Sequence, residues 1–414
     1  MQQTESPSEI VVYNDMETVS KIEERLGPGQ FPGFSRPLRS LFWLIFLCLG
    51  SICLILILAI LAAIPGLNIL TLGYLLEAQK KVALSGRLRD GFPLLTLAPR
   101  LGIVCFFTVI LLIPLQIQAA RISDAAVILG PESAQVQQMQ KVQQILQAVI
   151  AVHISLSVIH GGAASCFLRP FRNLRMAATL LSDRTMRNAA MKDLEQVIQL
   201  LNPVRHLIAG FRGFAGAICW LVIPAGLLVS NSAPDHDSPQ YGIVALIGII
   251  LLIPVTAWLP MLQVHQAVNG RFRSIFAVKT VRRLLCQAPL SWMFTTILLY
   301  VLTLPLYLTS IRLPPSDALL LLTPLFIVLI YPARIFVAWA YFRGTQKEQD
   351  ARAMIHRPTR ILMIPILGAY GIFLFLTPYF SQLGGAAPME NAAFLGPVPA
   401  AQNFLFPGRV SEKP

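Results

Sequence analysis

Long apolar runs separated by short polar stretches recur along the whole chain. Leu41–Ala63 is apolar throughout, with Cys48, Gly50, Ser51 and Cys53 as its only small or weakly polar members. Leu101–Ala120, Ile145–Leu168, Phe214–Ser230, Tyr241–Leu262, Leu290–Ile311, Ala318–Phe342 and Ile361–Phe380 follow. A hydrocarbon core about 30 Å thick is crossed by about 20 apolar helical residues, so these runs read as eight full spans. A further run, Leu67–Ala78, has twelve residues and would rise only about 18 Å as a helix. The expected fold is all-α: a polytopic transmembrane helical bundle.

Composition narrows the class. Of 414 residues, 55% are apolar and 13% are charged, against about a quarter charged in soluble domains. That excludes an ordinary water-soluble globule. The six cysteines are too few and too scattered for a disulfide-stapled secreted scaffold. Forty residues precede Leu41, with Glu5, Glu9, Asp15, Glu17, Glu23 and Glu24 among them. The first run therefore reads as an anchor kept on the mature chain, not as a signal peptide.

Charge fixes an expected topology. Lys and Arg outnumber Asp and Glu by 33 to 20, a net +13, and positive residues collect in cytoplasmic loops. Lys80–Arg100 carries five of them, Arg169–Arg212 eight, Arg271–Arg283 five and Arg343–Arg360 five. The intervening loops hold almost none, so loop charge alternates rich and poor. The tail bearing Arg36 and Arg39 and the Lys80–Arg100 loop both belong inside, which one crossing cannot satisfy. A hairpin does: Ile64-Pro65-Gly66-Leu67-Asn68 breaks the helix and turns it, and Leu67–Ala78 returns as a short helix. Glu77, Lys80 and Lys81 would snorkel to help it across. The other reading is a single crossing with the tail outside. The hairpin puts the N-terminus in the cytoplasm and the C-terminus outside.

Two motifs coincide in the halves. Gly86-Arg87-Leu88-Arg89-Asp90-Gly91-Phe92 resembles Gly270-Arg271-Phe272-Arg273-Ser274-Ile275-Phe276. Each lies downstream of an Ile-Pro break (Pro65, Pro254) and upstream of a Pro-led span. A weak four-plus-four internal repeat follows. The expected organisation is an acidic, mostly disordered cytoplasmic tail (1–37), a first membrane half (38–169), a cytoplasmic amphipathic linker helix (170–210), a second membrane half (211–343), a loop and last span (344–380) and a disordered tail (381–414). Within the linker, helical spacing of apolar positions runs from Asp183 to Leu201, and Asn202-Pro203 ends it.

Candidate chemistry is sparse. His153 and His160 share a helix face near Cys166, but no third and fourth ligand with metal spacing accompanies them. They read as polar packing, and no metal or cofactor is expected. Phosphate loops, nucleophile elbows and acidic metal motifs are absent, so no catalytic residue is assigned and an enzyme is not expected. Intramembrane charge is the informative test. Arg334, just after Tyr331-Pro332, is the one candidate deep in a run. It is either an anion ligand at a broken helix or an arginine snorkelling inward with Trp339, Tyr341 and Arg343. Arg87, Arg89, Arg271 and Arg273 are candidate contacts for anionic lipid head groups on the cytoplasmic face, or simply part of interfacial turns. Positive-inside bias accounts for the basic loops without a nucleic-acid partner.

The stretch Asn68-Ile69-Leu70-Thr71-Leu72-Gly73-Tyr74-Leu75-Leu76-Glu77-Ala78, running into Gly86–Phe92, resembles a group of uncharacterised bacterial multi-pass membrane proteins. Their shared pattern is a Pro-broken apolar segment, then Gly-Tyr-Leu-Leu and a basic stretch. The resemblance implies a location in the cytoplasmic (inner) membrane of a bacterium and brings no activity with it. The leading expectation is a non-enzymatic membrane scaffold or regulatory component. The competitor is a solute transporter or channel with its site between the halves, near Pro65, Pro254, Pro332 and Arg334. A polar cavity lined by Arg334 would favour the second.

Overall fold

The computed structural model describes residues 33, 36–95, 97–159, 161–229, 239–311, 319–346 and 361–369. Among them the regular elements are all helical. In chain order they are α1 (Pro37–Ala63), α2 (Asn68–Ser85), α3 (Ala98–Leu129), α4 (Ala134–Ile159), α5 (Ala164–Phe167), α6 (Pro170–Ser182), α7 (Arg184–Leu201), α8 (Pro203–Val229), α9 (Pro239–Asn269), α10 (Val278–Gln287), α11 (Pro289–Ile311) and α12 (Leu319–Thr345). Two 3₁₀ turns, Leu88–Gly91 and Phe272–Phe276, follow α2 and α9.

Among the described residues six segments are long and apolar enough to cross a membrane: Pro37–Ala63, Ala98–Leu129, Ala134–Ile159, Pro203–Leu227, Leu246–Asn269 and Leu322–Thr345. α10 and the first part of α11 pass together as a broken pair bent by 104°. The chain is thus an all-helical protein with the helices of a multi-pass membrane protein. Of the run Ile361–Phe380, residues 361–369 are described, and they are helical. The two tails expected to be disordered lie almost wholly outside the described residues, as does His160.

Several boundaries differ from the sequence expectation. The Ile64–Asn68 breaker does end α1 and start a new helix, with Gly66 at φ +86°. That helix runs on to Ser85 and has 18 residues, with Gln79, Val82 and Ala83 still buried in its last two turns. The run Ile145–Leu168 is not one helix. α4 stops at Ile159, and Gly161 and Gly162, at φ +100° and +65°, turn the chain into the short α5. Nor is 170–210 a single helix. Asp183 caps the start of α7, accepting from the Thr185 N–H, and Asn202, left-handed at φ 38°, ends it before Pro203 begins α8. The Asp183–Leu201 helix itself lies where the spacing placed it.

The chain forms two compact units that do not follow the two sequence halves. Unit one comprises Met1–Ile57 and Leu94–Asn202, and unit two Leu58–Pro93 and Pro203–Pro414. In unit one, α3 packs along α4, and α6 packs on α4 and α7. Unit two is built around α2, which packs against α8, α12 and α9. Eleven of its residues are buried, from Asn68 to Ala83. The closest crossing is α2 on α8. A Cβ on Gly73 would stand 1.7 Å from the His206 carbonyl oxygen, and one on Gly210 1.9 Å from that of Ile69. Small residues at such a crossing let backbones approach where no hydrophobic drive separates helix from lipid.

Candidate functional site

Arg334 is 2% exposed. Its Nη1 donates to the Gln79 side-chain carbonyl at 3.1 Å, and Gln79 Nε2 donates back to the Arg334 main-chain carbonyl at 3.1 Å. Gln79 is itself 1% exposed. The amide therefore holds α12 by side chain and backbone at once. A guanidinium placed in an apolar bundle needs such partners, since an unsatisfied polar group there costs several kcal/mol (about). Of the two sequence alternatives, snorkelling inward to the membrane face does not describe this side chain: it is buried at the interface of α2 and α12. A crevice of about 10 Å³, enough for a single water, lies between α9, α11 and α12 and is lined by Thr256, Trp292, Thr296 and Tyr300 among others. Arg334 is not among its lining residues.

One turn earlier on α12, Tyr331 donates to the Gly91 carbonyl at 2.7 Å. A hydroxyl has one proton to give, so the 2.9 Å contact between the Tyr331 and Tyr74 hydroxyls is Tyr74 donating. Phe92 lies against the Tyr331 ring, centroids 5.0 Å apart. Glu77 accepts from Arg205 of α8 at 3.0 Å, near the end of α2 that carries Lys80 and Lys81. His206 Nδ1 is buried with no hydrogen-bond partner among the described residues.

The two Gly-Arg-x-Arg motifs take the same backbone course. Gly86 and Gly270, at φ +72° and +65°, close α2 and α9 with N–H bonds of 2.8 Å to Val82 and Gln266. Only glycine adopts that region without strain. An extended Arg follows each, then a 3₁₀ turn. Seven residues before each glycine stands a buried glutamine, Gln79 and Gln263. Gln263 Nε2 donates to the Gly213 carbonyl on α8 at 3.4 Å, as Gln79 donates to α12. The fifth residue after each glycine, Gly91 and Ile275, offers its carbonyl to an aromatic donor: Tyr331, and Trp220 Nε1 at 3.1 Å. Arg87, Arg89, Arg271 and Arg273 are all exposed. Arg89, itself exposed, has the partly buried Asp90 at 3.7 Å.

Unit one has its own polar cluster. With His153 Nε2 donating to the Phe167 carbonyl at 3.0 Å, Nδ1 is left to accept from Asn173 at 3.3 Å. Asn173 Nδ2 lies closer still to Ser157 Oγ and the Cys166 carbonyl, at 2.8 and 2.9 Å, so its two protons are shared among three acceptors. These bonds tie α6 to the end of α4. Among the described residues no three His, Cys, Asp or Glu side chains gather as a metal site, and the six cysteines are free. Asp183, at the head of α7, has its carboxyl held below the ordinary carboxylate range by hydrogen bonds from the Thr185 hydroxyl and N–H, at 2.6 and 2.8 Å.

Comparison with known families touches the second motif. Residues 183–314 match the family described as a protein of unknown function, DUF4013. No curated protein and no solved structure matches the chain. The DUF4013 region runs from the head of α7 to just beyond α11 and includes Gln263 and Gly270–Phe276, whereas Gln79, Arg334 and the first motif lie outside it. Sequence reading singled out Arg334 but missed its partner. The signal was present: counting back seven positions from each motif glycine lands on a glutamine both times. It also missed α10, whose Val281 and Leu285 are buried while Lys279, Arg282 and Arg283 are exposed. That spacing is helical, but a ten-residue stretch is too short to stand out beside the long spans.

Proposed function

We propose that this chain is a non-enzymatic, multi-pass component of the cytoplasmic membrane that acts as a scaffold or regulator for partners on its cytoplasmic side. The observation that carries the reading is the buried Gln79–Arg334 pair. A carrier would present its one deep charge to a substrate path. Here the guanidinium is buried between two helices and donates to the Gln79 amide.

Orientation and internal repetition belong to the same reading. In unit two, Gly86 lies beside Phe342, Arg212 donates to the Gly270 carbonyl at 2.8 Å, and His265 meets the Tyr341 hydroxyl at 2.8 Å. The ends of α2, α9 and α12 and the start of α8 thus share one end, where Arg87, Arg271 and Arg343 also lie. Positive-inside bias assigns that end to the cytoplasm, with the N-terminus on the same side and the C-terminus opposite. The matched glycines and glutamines support a four-plus-four repeat. Eight full spans and one return helix complete this reading.

Single cysteines placed by Ser20→Cys, Ser238→Cys and Ser381→Cys in a Cys-free variant test the orientation. The first is expected to react only after permeabilisation, the other two from outside intact cells. Ser20→Cys labelled from outside would refute the hairpin. For the function itself, wild type and Arg334→Leu are purified side by side. A small molecule bound to wild type and lost in the variant would replace the scaffold with a carrier.

A further inference from the structure

Among the described residues, the segment from the second motif through α10 concentrates charge with no carboxylate opposite it. Arg271, Arg273, Lys279, Arg282 and Arg283 are all exposed. No Asp or Glu occurs between Asp237 and Asp317. The helices packed on α10, namely α9, α11 and α12, contain no carboxylate at all. Among the described residues of unit two the carboxylates are Glu77 and Asp90, and each already faces an arginine of its own, Arg205 and Arg89.

The geometry says where the missing negative charge lies. α10 turns 104° away from α11; with α11 crossing the bilayer, as in the reading above, that turn lays α10 along the membrane surface. Its apolar side is already occupied by protein: Val281 and Leu285 are 1% and 5% exposed, and a Cβ on Gly344 would be 2.8 Å from the Leu284 carbonyl oxygen. The basic side is therefore held outward by packing and is not free to roll. Phe272 and Phe276 stand between the cations, 38% and 49% exposed. Exposed rings alternating with arginines suit the boundary of acyl chains and head groups, where apolar bodies dip and charges stay wet.

We infer that this segment is a preformed site for anionic phospholipid. Phe272 and Phe276 enter the acyl boundary, and the five cations engage head-group phosphates. The inference rests on the membrane reading above and names the lipid as partner. It gives α10, not the two motifs equally, the leading part: the first motif has Asp90 within it and no basic helix after it.

The test uses full-length protein in detergent, titrated with phosphatidylglycerol or phosphatidylcholine, with bound lipid counted by native mass spectrometry. Wild type is expected to retain phosphatidylglycerol at least about tenfold more tightly, and Arg282→Gln with Arg283→Gln to lose about tenfold of that preference. Neutralising all five cations should abolish it, while Arg184→Gln with Arg187→Gln on α7 should leave it intact. Elution at the wild-type volume shows that each variant is folded; where the fivefold variant aggregates, the double variant decides. Equal retention of the two lipids by wild type, or an unchanged preference in the double variant, overturns the inference. Displacement by inorganic phosphate at matched concentration would assign a soluble anion instead, and displacement by RNA at matched charge a nucleic acid. Titration in detergent is blind to sidedness, so a failed orientation in the labelling experiment and a failed lipid site are told apart.

Discussion

α3 in unit one and α9 in unit two are nearly equally apolar, yet only 6% of the most apolar stretch of the first is buried, against 61% in the second. α4 resembles α3, at 6%, and α12 resembles α9, at 61%. Apolarity selects the bilayer as solvent but does not choose between lipid and protein as neighbour. The choice is made by other residues. Around α2, glycines at 73 and 210 admit close backbones, Gly213 leaves room for the Leu76 side chain, and glutamines at 79 and 263 reach across to main-chain carbonyls. On α3, Phe106, Val109 and Ile117 instead point outward, each more than half exposed.

The contrast can be broken most severely at the α2–α8 crossing. Gly73→Leu should cost about 3 kcal/mol or more, because the obstacle is the His206 backbone, which cannot swing aside. Loss of a monodisperse peak in detergent is the readout, with Gly226→Ala, which meets nothing within 4 Å, as the silent control. Gln79→Ala comes next, at about 2–3 kcal/mol, since it strips Arg334 of a partner on both side chain and backbone. A double-mutant cycle with Arg334→Leu should show strong coupling; additive losses would mean that the pair is incidental. Tyr331→Phe removes the donor to Gly91 and should lower stability by about 1 kcal/mol, measured by thermal unfolding in the same detergent.

Unit one sharpens the comparison with smaller effects. Phe106→Ala on the open face of α3 should change stability by less than about 0.5 kcal/mol. A loss near that of a core phenylalanine would reveal that another protein covers this face. The smallest effect is on pH. Asp183 has a lowered folded pKa, so its contribution is complete above the unfolded value near about 3.9 and fades as pH falls through the lower folded value. Amide exchange at Thr185 should quicken only in that acid window, and Asp183→Ala should remove the dependence.

Much of this was readable from the chain. Pro65-Gly66 and Asn202-Pro203 interrupt helices by local chemistry that no packing overrides, so both breaks stand where the sequence put them. The end of Ile145–Leu168 was harder, because Gly161-Gly162 is compatible with a membrane helix by composition and turns only through its dihedral angles. α2 was misjudged more deeply. Glu77, Lys80 and Lys81 suggested a helix straining to reach the surface, and its shortness suggested a marginal one. The structure makes it the hub of unit two, since its polar groups are matched by Arg205, Arg334 and Tyr331, all distant in sequence. Such partners are invisible to a window that reads neighbours only.

Those distances bear on how the molecule is made. Glu77 waits 128 residues for Arg205, and Gln79 waits 255 for the backbone and guanidinium of Arg334. At a synthesis rate of about 5–20 residues per second, the second interval is roughly 13–50 s. For that whole interval α2 is made and the Arg334 turn of α12 is not, and for about the first half of it Arg205 is unmade as well. Until then Glu77 and Gln79 lack these partners, and nascent chains cut short before Pro203 should be the ones that quality-control proteases remove first.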